Sequence, residues 1–134
     1  MARAPIRETA AMIAGMAPRL VPGEVAFACL APAQVQAALA DARALVREDE
    51  GVTLVLPRDH PDCPPGALAL RQITLGVPSA LDGVGLTAAV STALAREGIA
   101  CNVLAGAHHD HLFVPAGQAE AALAALRALA RSAG

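Results

Sequence analysis

Two short stretches carry the side chains best suited to recognise a small molecule. Ser79, Asp82, Gly83 and Gly85 fall in the loop Pro78–Gly85, between an apolar strand-like run and a helix-like one. Glycines let backbone approach a ligand closely, and the N-terminus of the helix that follows offers unpaired N–H groups to a carboxylate. Asp82 can pair with an α-ammonium, and Ser79 can cap a turn or touch the ligand. The same residues also suit an ordinary strand–helix connection with a glycine hinge. The second stretch is His108-His109-Asp110-His111. On a strand, His109 and His111 share one face while His108 and Asp110 share the other. A His-X-His pair on a strand can begin a metal site. Its third ligand would be His60, Asp62, Cys63 or Cys101, and nothing in their spacing brings them near. A polar turn with locally hydrogen-bonded imidazoles, or a contribution to a small-molecule site, are the other readings.

Two further features bear on chemistry. Asp59-His60-Pro61-Asp62-Cys63 holds a Cys and a His, but in a proline-rich loop, with no orienting third group and no oxyanion donor; it reads as an exposed linker. Asn102 sits among apolar neighbours, and a buried Asn must find partners for its amide.

The elements that position these residues follow from hydrophobic period and breakers. Residues 6–16 predict a short helix before Pro18, with Met12, Ile13 and Met16 docking on a core. Pro22-Gly23 predicts a turn and Val25–Leu30 a buried strand. Pro32 opens a helix whose stripe is Val35, Ala38, Leu39, Ala42, Leu45 and Val46, closed by the charges Arg47–Glu50 and by Gly51. Val52–Leu56 alternates as a strand. Pro57–Gly66 holds four prolines and one glycine and reads as a linker, which places a boundary between residues 1–66 and 67–134. Beyond it come a strand over Arg71–Val77 and a helix facing inward through Leu86, Val90, Ala93 and Leu94. A hairpin of Ile99–Ala105 and His111–Val114 follows, then a helix over Gln118–Arg131. The second half thus reads β-α-β-β-α and the first α-β-α-β, with five strands in all.

Composition excludes several classes. At 134 residues the chain buries about two-thirds of its unfolded surface. It is 55% hydrophobic and 16% charged, so part of the apolar excess is expected to cover a subunit interface in a homodimer or higher oligomer. The ten basic residues are all Arg, spread along a chain of net charge −2, and Phe27 and Phe113 are the only Phe, Tyr or Trp residues, so a nucleic-acid partner is not expected. The longest uncharged run, Val25–Ala40, contains Pro32, Gln34 and Gln36 and is too short to span a membrane. No signal peptide is convincing, and three widely spaced cysteines argue against a disulfide framework, which points to the cytoplasm.

The runs G-L-T-A-A-V-S-T-A-L-A, N-V-L-A-G and H-D-H-L-F-V-P, in this order of elements, resemble the ACT domain, and more narrowly the short bacterial tandem-ACT proteins. V-P-G-E at Val21–Glu24 and L-V-L-P-R at Leu54–Arg58 extend the likeness into the first half. The resemblance implies an α+β, ferredoxin-like fold: an antiparallel sheet with helices on one face, in a tandem or one-and-a-half ACT arrangement. The ACT pattern ends in a strand that the second half lacks, so the first half is expected to lend one. The family resemblance implies a non-enzymatic regulatory module that binds a small molecule, expected to be an amino acid, with no cofactor. Its site would comprise Ser79, Leu81, Asp82, Gly83, Val84, Gly85 and Leu86, with Asn102 on the adjacent strand. Asp110 joins this set by distant likeness to the ACT repeats of the animal cytosolic arginine sensor. Where family members tend to carry His-Ser-Ser-Leu-Glu, this chain has Pro78-Ser79-Ala80-Leu81-Asp82. The alternatives are a metal-binding protein or metal-dependent enzyme built on His109 and His111, and an oligomerisation module without a ligand.

Overall fold

The computed structural model describes residues 3–133. Along the chain these form α1 (Thr9–Ala14), β1 (Pro18–Leu30), α2 (Pro32–Ala38) with a 3-10 turn over Leu39–Asp41, β2 (Ala44–Glu48) and β3 (Gly51–Pro57). They continue with β4 (Leu70–Leu75), α3 (Leu86–Arg96), β5 (Asn102–Ala105), β6 (Asp110–Pro115) and α4 (Ala119–Ser132). The hydrogen-bonded strand order is β2-β3-β1-β4-β6-β5. Two compact units result, one from the residues up to Pro22 together with those from Arg71 onward, the other from Gly23–Leu70.

In the second unit, β1 pairs antiparallel with β3 from Val25↔Pro57 to Leu30↔Val52, and β3 pairs antiparallel with β2. Ala28, Leu30, Val52, Leu54 and Leu56 bury against Ala38 of α2. Here the helical stripe expected through Leu45 and Val46 is corrected. The helix stops at Ala38, Ala42 is already extended, and sheet pairing begins where the Arg43 N–H donates to the Val55 carbonyl (2.8 Å). The charges read as a helix end instead form the tip of a hairpin that closes at Gly51, whose φ of +152° suits glycine. β2 is an edge strand with most of its side chains exposed, so it lacks the two-residue alternation that would have marked it. Among the described residues the strand count is therefore six rather than five. The turn expected at Pro22-Gly23 is likewise absent: both residues lie within β1. Proline lacks an N–H to pair and Gly23 takes a φ of +89°, yet the strand runs on through both residues.

In the first unit, β5 and β6 form the expected hairpin, Asn102↔Phe113 to Ala105↔Asp110, and β6 lies beside β4. The strand lent by the first half is the opening of β1. It neighbours β4, and just before it the Gly76 and Val77 N–H groups donate to the Ala17 and Met16 carbonyls (3.1 and 3.2 Å). Ile73 and Leu75 of β4, with Leu112 and Val114 of β6, meet Leu86, Val90 and Leu94 of α3 and Ala122, Leu123 and Leu126 of α4. Met12 and Met16 complete that core from the N-terminal side. Among the described residues no helix is long and apolar enough to cross a membrane.

The opposite face of β4 and β6 carries a buried polar group. Gln72 and Thr74 are 8% and 6% exposed. Gln72 Nε2 donates to Thr74 Oγ1 (3.1 Å), and both approach His111 Nδ1, at 3.3 and 3.0 Å. Burial pushes the His111 imidazole below its ordinary range, and His109 and Arg19 add to this while Asp110 opposes it. The folded state therefore favours neutral His111. Above the unfolded value of about 6.5 the imidazole is neutral in both states and this stability is intact. As pH falls below that value the unfolded chain takes the proton first, and stability declines until the folded pKa is passed. Urea denaturation followed by circular dichroism at about pH 7.5, 6.5 and 5.5 is expected to give midpoints that fall with acidification below the unfolded value. His111→Gln is expected to flatten that fall. An equal fall in His111→Gln would assign it to other groups.

Candidate functional site

Within the first unit a cavity of about 160 Å³ opens at the N-terminus of α3. The helix starts after Gly85, which has φ +109° and offers no side-chain cap, so the first-turn N–H groups are left to solvent or to a ligand. Asp110 and Ser79 face each other across the cavity lining, with Ser79 Oγ donating to Asp110 Oδ2 at 3.4 Å. Asp110 shares with Leu112 and Val114 the face of β6 that α3 and α4 cover, which carries its carboxylate to the helix end. The wall also includes the apolar side chains of Met12, Ala80, Leu86 and Ala105, together with Thr87.

Of the residues expected from sequence, Ser79, Leu81, Gly83, Gly85, Leu86 and Asp110 line this cavity. Asp82, Val84 and Asn102 do not. Asp82 is turned outward, with 76% of its side chain exposed, in an ion pair with Arg7 (Nε–Oδ1 3.0 Å). Val84 is exposed and its carbonyl accepts from the Thr9 hydroxyl. Asn102 is exposed at the start of edge strand β5, so the expectation of a buried amide is corrected: its neighbours in sequence are apolar, but the strand edge leaves it open. Arg7, Thr9, Met12, Thr87 and Gly106 were missed. Met12 carried a signal, since it belongs to the apolar set of the first helix. Arg7 and Thr9 carried none, because only the fold brings them to the loop.

The N-terminal segment is strapped along that loop. Ile6 bridges Ser79 in parallel, its N–H donating to the Pro78 carbonyl (2.7 Å) and its carbonyl accepting from Ala80 N–H (2.9 Å). Arg3 donates to the Gly76 carbonyl (3.1 Å), and Glu8 caps α1 through the N–H groups of Ala10 and Ala11. The two loop glycines make this possible. A Cβ at Gly83 would lie 3.0 Å from Met12 Sδ, and one at Gly85 would lie 2.7 Å from Thr9 Cγ2. Their bare backbone admits the N-terminal segment, a role different from the ligand approach expected of them.

The imidazoles are not gathered. His109 Nδ1 lies 3.3 Å from the Val77 carbonyl, whereas His111 Nδ1 is engaged by Thr74 and Gln72. In the second unit His60 contacts Asp41 (3.3 Å), and its Nδ1 accepts from the Asp62 N–H (3.1 Å). Burial raises the Cys63 thiol, and raises that of Cys101 to about 11, so neither is poised as a thiolate. Among the described residues no three His, Cys, Asp or Glu side chains are grouped to hold a metal ion.

Comparison with known proteins then decides the family. Residues 69–128 match one ACT-domain model and residues 4–62 match another. The chain belongs to the ACT-domain family. A Vibrio cholerae protein of unknown function, described as a possible transport protein, is 36% identical with a TM-score of 0.74, over 87% of this chain and 93% of that one. An Agrobacterium tumefaciens protein is 22% identical with a TM-score of 0.66, over 84% and 87% of the two chains. The ligand-free regulatory subunit of Thermus thermophilus aspartate kinase shares the fold at 15% identity, with a TM-score of 0.64 over 86% and 97%. No curated protein matches. ACT domains are regulatory, small-molecule-binding modules, and the tandem, ferredoxin-like arrangement holds here.

The strap of this ACT protein makes a comparative prediction. Gly98 has φ +70° with nothing within 4 Å of a Cβ, so Gly98→Ala meets only the left-handed backbone cost, about 1 kcal/mol. Gly85→Ala adds the Thr9 clash to a similar backbone strain and is expected to cost about 3 kcal/mol. It should also raise amide exchange across residues 6–12. Equal costs in urea denaturation would contradict the packing of Thr9 on Gly85.

Proposed function

We propose that this protein is a non-enzymatic regulatory module whose ligand is an amino acid, bound in the cavity at the N-terminus of α3. One observation carries the reading: an uncapped helix start, the Asp110 carboxylate and the Ser79 hydroxyl converge on a single cavity. The first-turn N–H groups and the helix dipole suit the ligand's carboxylate. Asp110, with Ser79 beside it, suits the α-ammonium. Met12, Ala80 and Leu86 then receive the ligand's side chain. A cavity of about 150 Å³ accommodates a molecule the size of benzene, so 160 Å³ favours a compact amino acid. The ligand-free aspartate kinase regulatory subunit among the structural neighbours is consistent with such a role for the fold. Asp82, held by Arg7 outside the cavity, acts on the ligand through the position of the loop.

The proposal extends to organisation. Residues 1–66 form a degenerate ACT-like half that lends residues up to Pro22 to the other unit, and residues 67–134 an ACT domain, of a cytoplasmic, self-associating protein with neither nucleic acid nor membrane as partner.

The test is thermal unfolding against each of the proteinogenic amino acids, then divalent metals. The chain has no Trp or Tyr, so the signal is circular dichroism. One amino acid at 100 times its dissociation constant is expected to stabilise by about 2.7 kcal/mol, several degrees in midpoint. Asp110→Asn should abolish that rise while leaving the unliganded midpoint close to wild type. A flat amino-acid panel, or a rise that survives Asp110→Asn, would contradict the proposal. A rise with metals alone would move the site to the histidine hairpin.

A further inference from the structure

The two motifs left without a role, V-P-G-E and L-V-L-P-R, meet in the second unit. Val25 of β1 stands opposite Pro57 of β3, and one step further the Arg58 N–H donates to the Glu24 carbonyl at 2.9 Å. Glu24 and Arg58 are thus cross-strand neighbours. They border a cleft of about 380 Å³ whose lining also includes Gly23, Arg43, Pro57 and Asp59. That volume lies within the range of small-molecule sites, roughly 300–1,000 Å³.

Three charges beside this cleft, on Glu24, Arg58 and Asp59, are opposite in sign yet are not joined to one another among the described residues. Oppositely charged cross-strand neighbours can stabilise a strand pair, but among the described residues no ion pair links Arg58 to the exposed Glu24 or Asp59. Arg58 is half-buried and fixed by its Nε, which donates to the Ala67 carbonyl at 2.8 Å. Its two terminal nitrogens make no hydrogen bond or ion pair among the described residues, and neither do the carboxylates of Glu24 and Asp59, although Arg58 and Asp59 both act on the nearby Cys63 thiol through their charge. The guanidinium of Arg43 lies beside Gly23, where a Cβ would approach it to 3.9 Å. A purely anionic ligand would meet Glu24 and Asp59, and a purely cationic one would meet Arg43 and Arg58. A ligand with both charges satisfies both sets, because a guanidinium presents a planar fork to a carboxylate and two carboxylates flank an ammonium or guanidinium group.

We propose that the cleft formed by Glu24, Arg43, Arg58 and Asp59 is a second binding site, for a small zwitterion, with the ligand's carboxylate on Arg58 and its cationic group between Glu24 and Asp59. The site uses none of the residues at the α3 N-terminus and stands whether or not that cavity binds an amino acid.

The test is an amide and arginine-side-chain NMR titration of the full chain with the proteinogenic amino acids in pools, with succinate as the anion control and putrescine as the cation control. Saturable shifts at Glu24, Arg43, Arg58 and Asp59, including Arg58 Nε–H, are expected from at least one pool and from neither control. Asp59→Asn, at an exposed loop position, is expected to weaken that binding about tenfold with the rest of the spectrum unchanged. Three results would overturn the site: no response at these residues from any pool, equal shifts from succinate, or unchanged affinity in Asp59→Asn. Shifts at Ser79–Leu86 and Asp110 report on the other cavity, so each proposal fails or survives by itself.

Discussion

β4 is buried along most of its length, with Ile73 and Leu75 at the centre of the first unit's core, and a buried strand must have its backbone groups hydrogen-bonded on both edges. β6 supplies one edge and the opening of β1 the other. This requirement governs the unit. Once Pro18–Pro22 lies beside β4, the residues preceding it are delivered to the loop that follows β4. The strap from Arg3 to Thr9 and the packing of Met12 follow from that placement. The cavity at the α3 N-terminus therefore has a wall from a part of the chain far away in sequence, and completing the sheet and shaping the cavity are one event.

Electrostatics in that unit are arranged economically. The α3 start has no side-chain cap, and the carboxylate nearest its cavity, Asp110, is on a strand rather than in the helix's first turn. The positive end of the helix and the negative side chain thus face a shared space and do not cancel in contact. Arg7 holds Asp82 on the outside of the loop. That exposed pair contributes little to stability, but with the backbone bonds of Ile6 it sets the loop's path. The second unit repeats the strand order, with its helix between the first two strands in sequence, and has its own small core. One mixed cluster of its charges, Glu24, Arg43, Arg58 and Asp59, lies at the Val25–Pro57 end of the β1–β3 pair, so the two units share strand order and differ in where they present polar chemistry.

Much of the first unit was legible in sequence because its elements obey single periods. Leu86, Val90 and Leu94 mark α3, Ala122, Leu123 and Leu126 mark α4, and Ile73 with Leu75 marks β4. The failures have physical causes. β2 hides because an edge strand is exposed on most of its side chains, and Leu45 with Val46 happens to continue the spacing of the preceding helix. Pro22-Gly23 carries the residue types of a turn, but a strand passing from one set of partners to another tolerates a residue with no N–H and one with positive φ. Asn102 was misplaced because apolar neighbours do not imply burial at an edge. Six expected site residues do converge, since the loop and β6 fall within one sheet-and-helix unit. What sequence could not supply was the strap: the need for Gly83 and Gly85 lies in Met12 and Thr9, about seventy residues away, and no local pattern records a contact at that separation.

The central claim is that the cavity beside α3 is where this ACT protein meets its ligand, and the Met12 methyl group is its natural reporter. The chain has only three methionines, and Met12 lines the cavity while Met16 is equally buried and does not. A methyl NMR titration with pooled amino acids therefore reads the claim directly. A saturable shift of the Met12 resonance, with Met16 unmoved, is the predicted result. A Met12 resonance that stays in place at saturating concentrations of every amino acid would contradict the account.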